Sequence, residues 1–163
     1  MIIESKHSDN FKAAMRKYGY SVSVVSNMTD KNQKNAITIS SFTSISVLPP
    51  SILICINKSS KIHNSLSLNS FFCVNLLNKK QKNIAELCSN SNKYSERFEN
   101  NMWTDENPPK LKNALAHIVC KVDKVIDYNT HSIIIGLVLE SKFSKSNNPL
   151  LYVNQEYVGH RGD

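Results

Sequence analysis

No C-x-x-C pair occurs in this 163-residue chain, and its four cysteines, Cys55, Cys73, Cys88 and Cys120, lie far apart in apolar surroundings. That spacing excludes a small disulfide scaffold and leaves buried free thiols as the expectation. No apolar run approaches the length of a membrane span, and the opening residues MIIESKHSDN hold no apolar leader segment. No membrane partner is therefore expected, and a reducing cytoplasm is the expected location. Internal repeats, coiled-coil heptads and long low-complexity tracts are absent as well. Metal-ligand spacing is equally scarce. His117 and Cys120 are three apart on an expected strand, where they face opposite sides, and His7, His63 and His160 have no partner at ligand spacing. No metal is expected.

What the chain does carry is positive charge, a net +7 with an isoelectric point near 9.2. Nucleic acid, an anionic membrane surface and phosphorylated cofactors are all compatible with it. The lysines are scattered rather than blocked, so a solvated basic surface explains the charge as well. Phe42, Phe71 and Phe72, which would stack on single strands, lie inside apolar runs where a core position is the default. Nucleic acid is not expected as a partner. The length suits one domain, residues 1–163, with a proper core.

Apolar residues Phe11, Ala14, Met15 and Tyr18 recur at helical spacing behind a Ser8 or Asp9 cap. They predict an opening amphipathic helix whose apolar face covers one end of a barrel. Valine-rich Ser21 to Asn27 and a strand from Lys34 to Ser41 flank a polar turn through Asp30 and Asn32, which reads as a hairpin. Phe71 to Leu77 is an apolar strand, and Lys79 to Cys88 puts Ile84, Leu87 and Cys88 on one helical face. Ser89 to Lys112 is polar and broken by Pro108 and Pro109, a loop with one helical turn near Tyr94. Two long strands come next, Ala116 to Ile126 and His131 to Phe143, with a tight turn from Asp127 to Thr130. A short strand pair surrounds Leu151 and Tyr157. Antiparallel strands with a few short helices predict a mainly β protein built on a closed barrel.

The most informative stretch is NAITISSFTSISVLPPSILICINKSSKIH, Asn35 to His63. An apolar run from Ala36 to Ile39 meets small hydroxyl residues around Ser40 and Ser41, then a Pro49-Pro50 break and a second apolar strand from Ile52 to Ile56. That strand runs into Lys58, Ser59, Ser60 and Lys61. Ile62 and Leu66 stand at helical spacing, so Ser59 or Ser60 reads as a helix N-cap. A helix N-terminus with flanking lysines suits a phosphate, and the hydroxyls of Thr38, Ser40 and Ser41 suit a polar, planar ligand. The plainer reading is serines that cap a helix and lysines that are solvated.

These segments, together with FKAAMRKYGYSVSVVS (Phe11 to Ser26), FFCVNLL (Phe71 to Leu77), Arg97-Phe98, Trp103, LKNALAHIVCKV, HSIIIGLV and PLLYVNQEYV, carry a resemblance. In order and spacing the chain resembles the flavin reductase-like family, FMN-binding split β-barrels that include the reductase components of two-component flavin monooxygenases. The resemblance spans Phe11 to Tyr157 and implies a Greek-key-like antiparallel barrel.

It further implies a set of site residues. Ile37, Thr38, Ile39, Ser40 and Ser41 should line the flavin ring and ribityl chain, and Lys58, Ser59, Ser60 and Lys61 should hold its phosphate. Asn75 and Arg97 lie in segments that approach the flavin in relatives. The structural alternative for Asn75 is an amide tying strands together, and for Arg97 a surface salt bridge. His131 stands where a histidine commonly closes a Gly-Asp-His turn beside the nicotinamide, and it is the candidate catalytic residue. Here Asn129 and Thr130 replace Gly and Asp. Tyr152 is a candidate wall of the same pocket, or a plain aromatic in an edge strand. Ala36 stands where relatives often have Gly, and Asn107-Pro108-Pro109 replaces a Gly-x-Pro approach.

The activity so implied is hydride transfer from NADH or NADPH to FMN or FAD by a homodimer, with reduced flavin passing to an oxygenase. No catalytic triad is needed, because the cofactors carry the bond-making. The altered turn before His131 keeps a second reading open: a flavin-binding or electron-carrier protein without productive nicotinamide turnover.

Overall fold

The computed structural model describes residues 2–159, and His160 lies outside them. Helix α1 (Ile2–Met15) leads into strands β1 (Tyr20–Ser21), β2 (Ser23–Met28), β3 (Lys34–Ile39), β4 (Phe42–Val47), β5 (Pro50–Asn57) and β6 (Phe71–Leu76). Helix α2 (Lys82–Ser89) separates these from β7 (Ala116–Tyr128), β8 (His131–Phe143), β9 (Leu150–Val153) and β10 (Glu156–Gly159). Seven strands form one antiparallel sheet in the order β3-β2-β6-β7-β8-β5-β4, and β1, β9 and β10 form a second. The edge strands β3 and β4 are consecutive and joined only by Ser40 and Ser41, so the sheet must curl back on itself. This is the expected split barrel.

The valines of β2 explain how the barrel is covered. Val25 points inward among Ile39, Ile54, Phe72 and Ile134, while Val24 points outward among Ala36, Leu77, Ile84 and Leu111. Successive side chains of a strand face opposite ways, and here both faces are buried, so β2 reads as a continuous apolar run. The outer layer is α2, packed through Ile84, Ala85 and Cys88, together with Trp103 and Leu150. The long β7–β8 hairpin bends at two register shifts, Val119/Cys120 and Val122/Lys124, which lets it wrap the barrel.

Two expectations need correction. Helix α1 does not cover the barrel: Phe11 is 65% exposed, and Tyr18, just beyond the helix, is 62% exposed. Among the described residues, its apolar side has no partner layer in its own chain; at its end, Asn154 N–H donates to the Arg16 carbonyl. Strand β4 has no counterpart in the sequence expectations. It is an exposed edge strand, so burial imposes no apolar alternation on its serines.

Candidate functional site

Two adjoining cavities flank the end of β3. The first, about 290 Å³, is lined by Ile37, Thr38, Ile39, Ser40 and Ser41 with Cys55, Ile56, Asn57 and His131. The second, about 200 Å³, is lined by Ser59, Ser60, Lys61, Tyr94 and Arg97 with Cys88 and Ser89, and Ile37 is common to both. Strand register explains the first: Asn57 of β5 is paired with His131 of β8, and β3 reaches the barrel seam beside them.

In the first cavity most hydroxyls are already committed. Thr38 Oγ1 donates to the Ala85 carbonyl at 2.7 Å, fastening α2 to β3, and Ser41 Oγ donates to the Cys55 carbonyl at 2.8 Å. Ser40 is exposed and has no hydrogen-bond partner among the described residues. His131 is exposed at the opposite rim, with Nδ1 2.9 Å from Thr130 Oγ1. The slot therefore offers apolar walls, backbone groups, one free hydroxyl and an imidazole.

The second cavity differs from expectation in its cause. Ser59 and Ser60 do not cap a helix. Ser59 donates to Asn57 Oδ1 through both N–H (2.9 Å) and Oγ (2.8 Å), and Ser60 Oγ donates to the Asn57 carbonyl at 2.6 Å. The next element is a single 3-10 turn, His63–Ser65, whose cap residue Ile62 makes no side-chain bond. Asn57 offers the backbone a local turn that wins over helix initiation. The positive character comes instead from Arg97, which is 4% exposed. One guanidinium nitrogen donates to the Ala36 carbonyl and another to the Asn90 carbonyl at 2.8 Å. Among the described residues its Nε is buried without a partner. Burial pulls the Arg97 pKa down, yet arginine stays charged in proteins, so the cavity wall carries a cation. Lys61 Nζ and the Arg97 guanidinium lie 4.3 and 4.7 Å from the ring centre of Tyr94. A phosphate group fits this donor set.

Three sequence candidates lie elsewhere. Lys58 pairs with Asp127 at 3.4 Å. Asn75 is fully buried: its Nδ2 donates to the Val24 carbonyl (2.9 Å) and Ser26 Oγ (3.0 Å), and its Oδ1 accepts from Leu111 N–H (2.8 Å). Tyr152 packs 5.0 Å from Tyr157 in the smaller sheet. Tyr94 and Asn57 are the residues that sequence reasoning missed. Tyr94 stands three before Arg97 in consecutive 3-10 turns, a spacing that brings the two side chains together. Among the described residues no group of three or more metal-ligating side chains converges.

A split barrel whose seam holds an apolar slot beside a buried-arginine pocket defines a protein for a planar, phosphorylated ligand. The chain belongs to the flavin reductase-like domain family, whose model matches residues 15–161. It is 32% identical over 151 residues to the reductase component of the FADH2-dependent resorcinol hydroxylase of Rhizobium sp. (strain MTP-10005), covering 91% of this chain and 84% of that protein. It is 28% identical to the FMN reductase (NADH) RutF of Pantoea ananatis (strain LMG 20103), over 90% of this chain and 78% of the relative. The crystal structure of BorF, the flavin reductase component of a bacterial two-component tryptophan halogenase, superposes with a TM-score of 0.84 at 27% identity, covering 93% and 97% of the two chains.

Proposed function

We propose that this protein is a nicotinamide-dependent flavin reductase that uses the whole chain as one domain. The flavin and the nicotinamide supply the hydride transfer between them. Ile37, Thr38, Ile39, Ser40 and Ser41 wall the flavin ring, and Ser59, Ser60, Lys61 and Arg97 hold its phosphate. His131 stands at the open rim, where it orients the nicotinamide. Lys58, Asn75 and Tyr152 serve the scaffold. The observation that carries this reading is the cavity lined by Ser59, Ser60, Lys61 and Arg97, which shares Ile37 with the His131 slot.

The carrier alternative is not favoured, since the relatives are reductases by name. NADH is the donor in the name of the FMN reductase relative, and resorcinol hydroxylase and tryptophan halogenase are the oxidative partners named beside the others. An oxygenase that consumes reduced flavin is the partner this supports. The outward apolar side of α1 supports a homodimer, which sedimentation analysis tests. Cysteines free of disulfides support a cytoplasmic location. The deciding experiment is anaerobic: FMN or FAD is mixed with the protein, then NADH and NADPH are added in turn. Bleaching of the flavin spectrum above a protein-free control is expected; its absence with all four combinations overturns the assignment.

A further inference from the structure

His63, Ser132, Asp127 and Lys58 form one chain of contacts, and none of the four lines either cavity of the site except through its neighbours. His63 Nε2 is 2.9 Å from Ser132 Oγ, the Ser132 hydroxyl donates to Asp127 Oδ1 at 3.0 Å, and Lys58 Nζ lies 3.4 Å from the same carboxylate oxygen. Ser132 is fully buried. Its hydroxyl, and then Lys58, hold the Asp127 carboxyl below the usual carboxylate range, so Asp127 is ionised and takes the one hydroxyl proton. Ser132 is left to accept from His63, which fixes a proton on Nε2 and one orientation of the ring. His63 Nδ1 is 3.3 Å from the Asn64 side-chain amide, whose oxygen and nitrogen serve it whether the imidazole is charged or neutral.

Lys58 and His63 bound the segment that carries Ser59, Ser60 and Lys61. Asp127 and Ser132 face each other across the β7–β8 hairpin, and Ser132 follows His131 directly. Both ends of the segment are therefore tied by side chains to the hairpin that presents His131. We propose that His63 and Ser132 are positioning residues for flavin reduction, holding the phosphate segment in register with the turn of His131, a proposal that rests on the flavin reading above. Neither touches a reacting atom. They act through Ser59, Ser60 and Lys61 on one side and His131 on the other, so that flavin and nicotinamide are presented at a fixed separation. Hydride transfer is sensitive to small misplacements of its partners, and that is where such a tie has its effect.

The test compares wild type with Ser132→Ala, His63→Leu, His63→Gln and Asp127→Ala. The last, at an exposed position, opens both side-chain ties without a change in the core. Titrations with FMN and with riboflavin are set beside stopped-flow reduction of bound FMN by the nicotinamide that wild type uses, and beside urea unfolding. Ser132→Ala, His63→Leu and Asp127→Ala are expected to weaken FMN about fivefold, leave riboflavin as in wild type and slow the reduction of bound FMN about threefold or more. The His63→Gln amide can still donate to Ser132, so this variant should recover most of both losses. A merely structural role would lower the urea midpoint and leave the ratio of FMN to riboflavin affinity unchanged. That unchanged ratio in the folded variants overturns the proposal, and so does a His63→Gln protein no better than His63→Leu. Wild type that binds FMN no more tightly than riboflavin overturns the phosphate assignment, and wild type that binds neither overturns the flavin reading; this inference falls with each.

Discussion

Thr130 Oγ1 lies 2.9 Å from Nδ1 of His131, so the hairpin turn supplies its own partner for the imidazole. Where relatives commonly have Gly-Asp, Asn129 takes a left-handed φ of 47° and Thr130 offers a hydroxyl in place of a carboxylate. Asparagine is among the few side chains that tolerate that backbone, so the turn survives the exchange. Its carbonyl end is also held, since Lys58 N–H donates to the Thr130 carbonyl at 3.0 Å. His131→Ala is expected to slow flavin reduction by NADH at least tenfold while flavin affinity holds. Thr130→Val removes one hydrogen bond, about 1 kcal/mol or roughly fivefold in kcat/KM for the nicotinamide. Stopped-flow reduction beside a flavin titration separates the two effects; a loss of flavin affinity equal to the loss of rate argues against an orienting role.

In the proposed phosphate cavity Lys61 and Arg97 differ in how freely they can be replaced. Arg97 also carries the Ala36 and Asn90 carbonyls, so its removal damages the scaffold; Lys61 is exposed and free to vary. Ser59→Ala and Ser60→Ala combined with Lys61→Glu is expected to weaken FMN on the order of a hundredfold, about 3 kcal/mol lost as charge-assisted bonds and added repulsion. Riboflavin, which lacks the phosphate, should bind as to wild type. Equal losses for both ligands would remove the assignment.

The barrel was legible in the sequence because its strands are apolar runs bounded by Pro, Asn and Asp. Ile52, Ile54 and Ile56 alternate inward, and the Asn129-Thr130 turn closes the β7–β8 hairpin where expected. That Ser59, Ser60 and Lys61 gather at one place was legible, though for an incorrect reason. Ser59, Ser60 and Lys61 line the cavity, yet a local Asn57 turn rather than a helix cap sets them there. Lys58, Asn75 and Tyr152 drew attention by position along the chain, but Lys58 pairs with Asp127, and strand register turns Asn75 toward β2 and Tyr152 toward Tyr157. Tyr94 reaches Asn35 across 59 positions, and no local pattern announces a bond of that range.

Asn75 offers a clean test of scaffold against ligand. Its amide bonds β2 through the Val24 carbonyl and Ser26 Oγ, and the loop before β7 through Leu111 N–H, all away from water. Asn75→Ala leaves several of these groups unpaired and is expected to cost about 2–4 kcal/mol in urea unfolding. Flavin affinity of the folded fraction should be unchanged. A stable variant that loses flavin would return Asn75 to the binding site.

Gly136 marks how tightly the barrel interior closes. A Cβ there would stand 2.6 Å from Phe72 Cζ and 2.9 Å from Cys120 Cβ, both fully buried. Neither neighbour has room to retreat, so Gly136→Ala is expected to destabilise by about 1–3 kcal/mol through overpacking. Pairing it with Phe72→Leu should recover part of that loss in a double-mutant cycle; additive losses would show that the ring is not what the methyl meets.

The thiols give the protein an alkaline limit. Burial pushes the pKa values of Cys73, Cys88 and Cys120 from about 9 up to about 12, the charge of Lys110 offsetting part of the shift at Cys73 and that of Arg97 part at Cys88. Groups whose folded pKa is raised contribute their full stability below the unfolded value and lose it as pH climbs toward the folded one. Above pH 9 the unfolded chain sheds these protons while the folded chain keeps them. Stability should fall by about 1.4 kcal/mol per thiol for each pH unit between 9 and 12. Urea unfolding at pH 8, 9 and 10 measures the slope, and Cys88→Ala should flatten it by one thiol's share. Alkylation gives an independent check, because the thiolate is the reactive form. At pH 7.5 iodoacetamide should label half-buried Cys55 first and reach the other three only in urea. Rapid labelling of Cys73, Cys88 or Cys120 in the folded protein would mean that the barrel opens to solvent far more often than this packing allows.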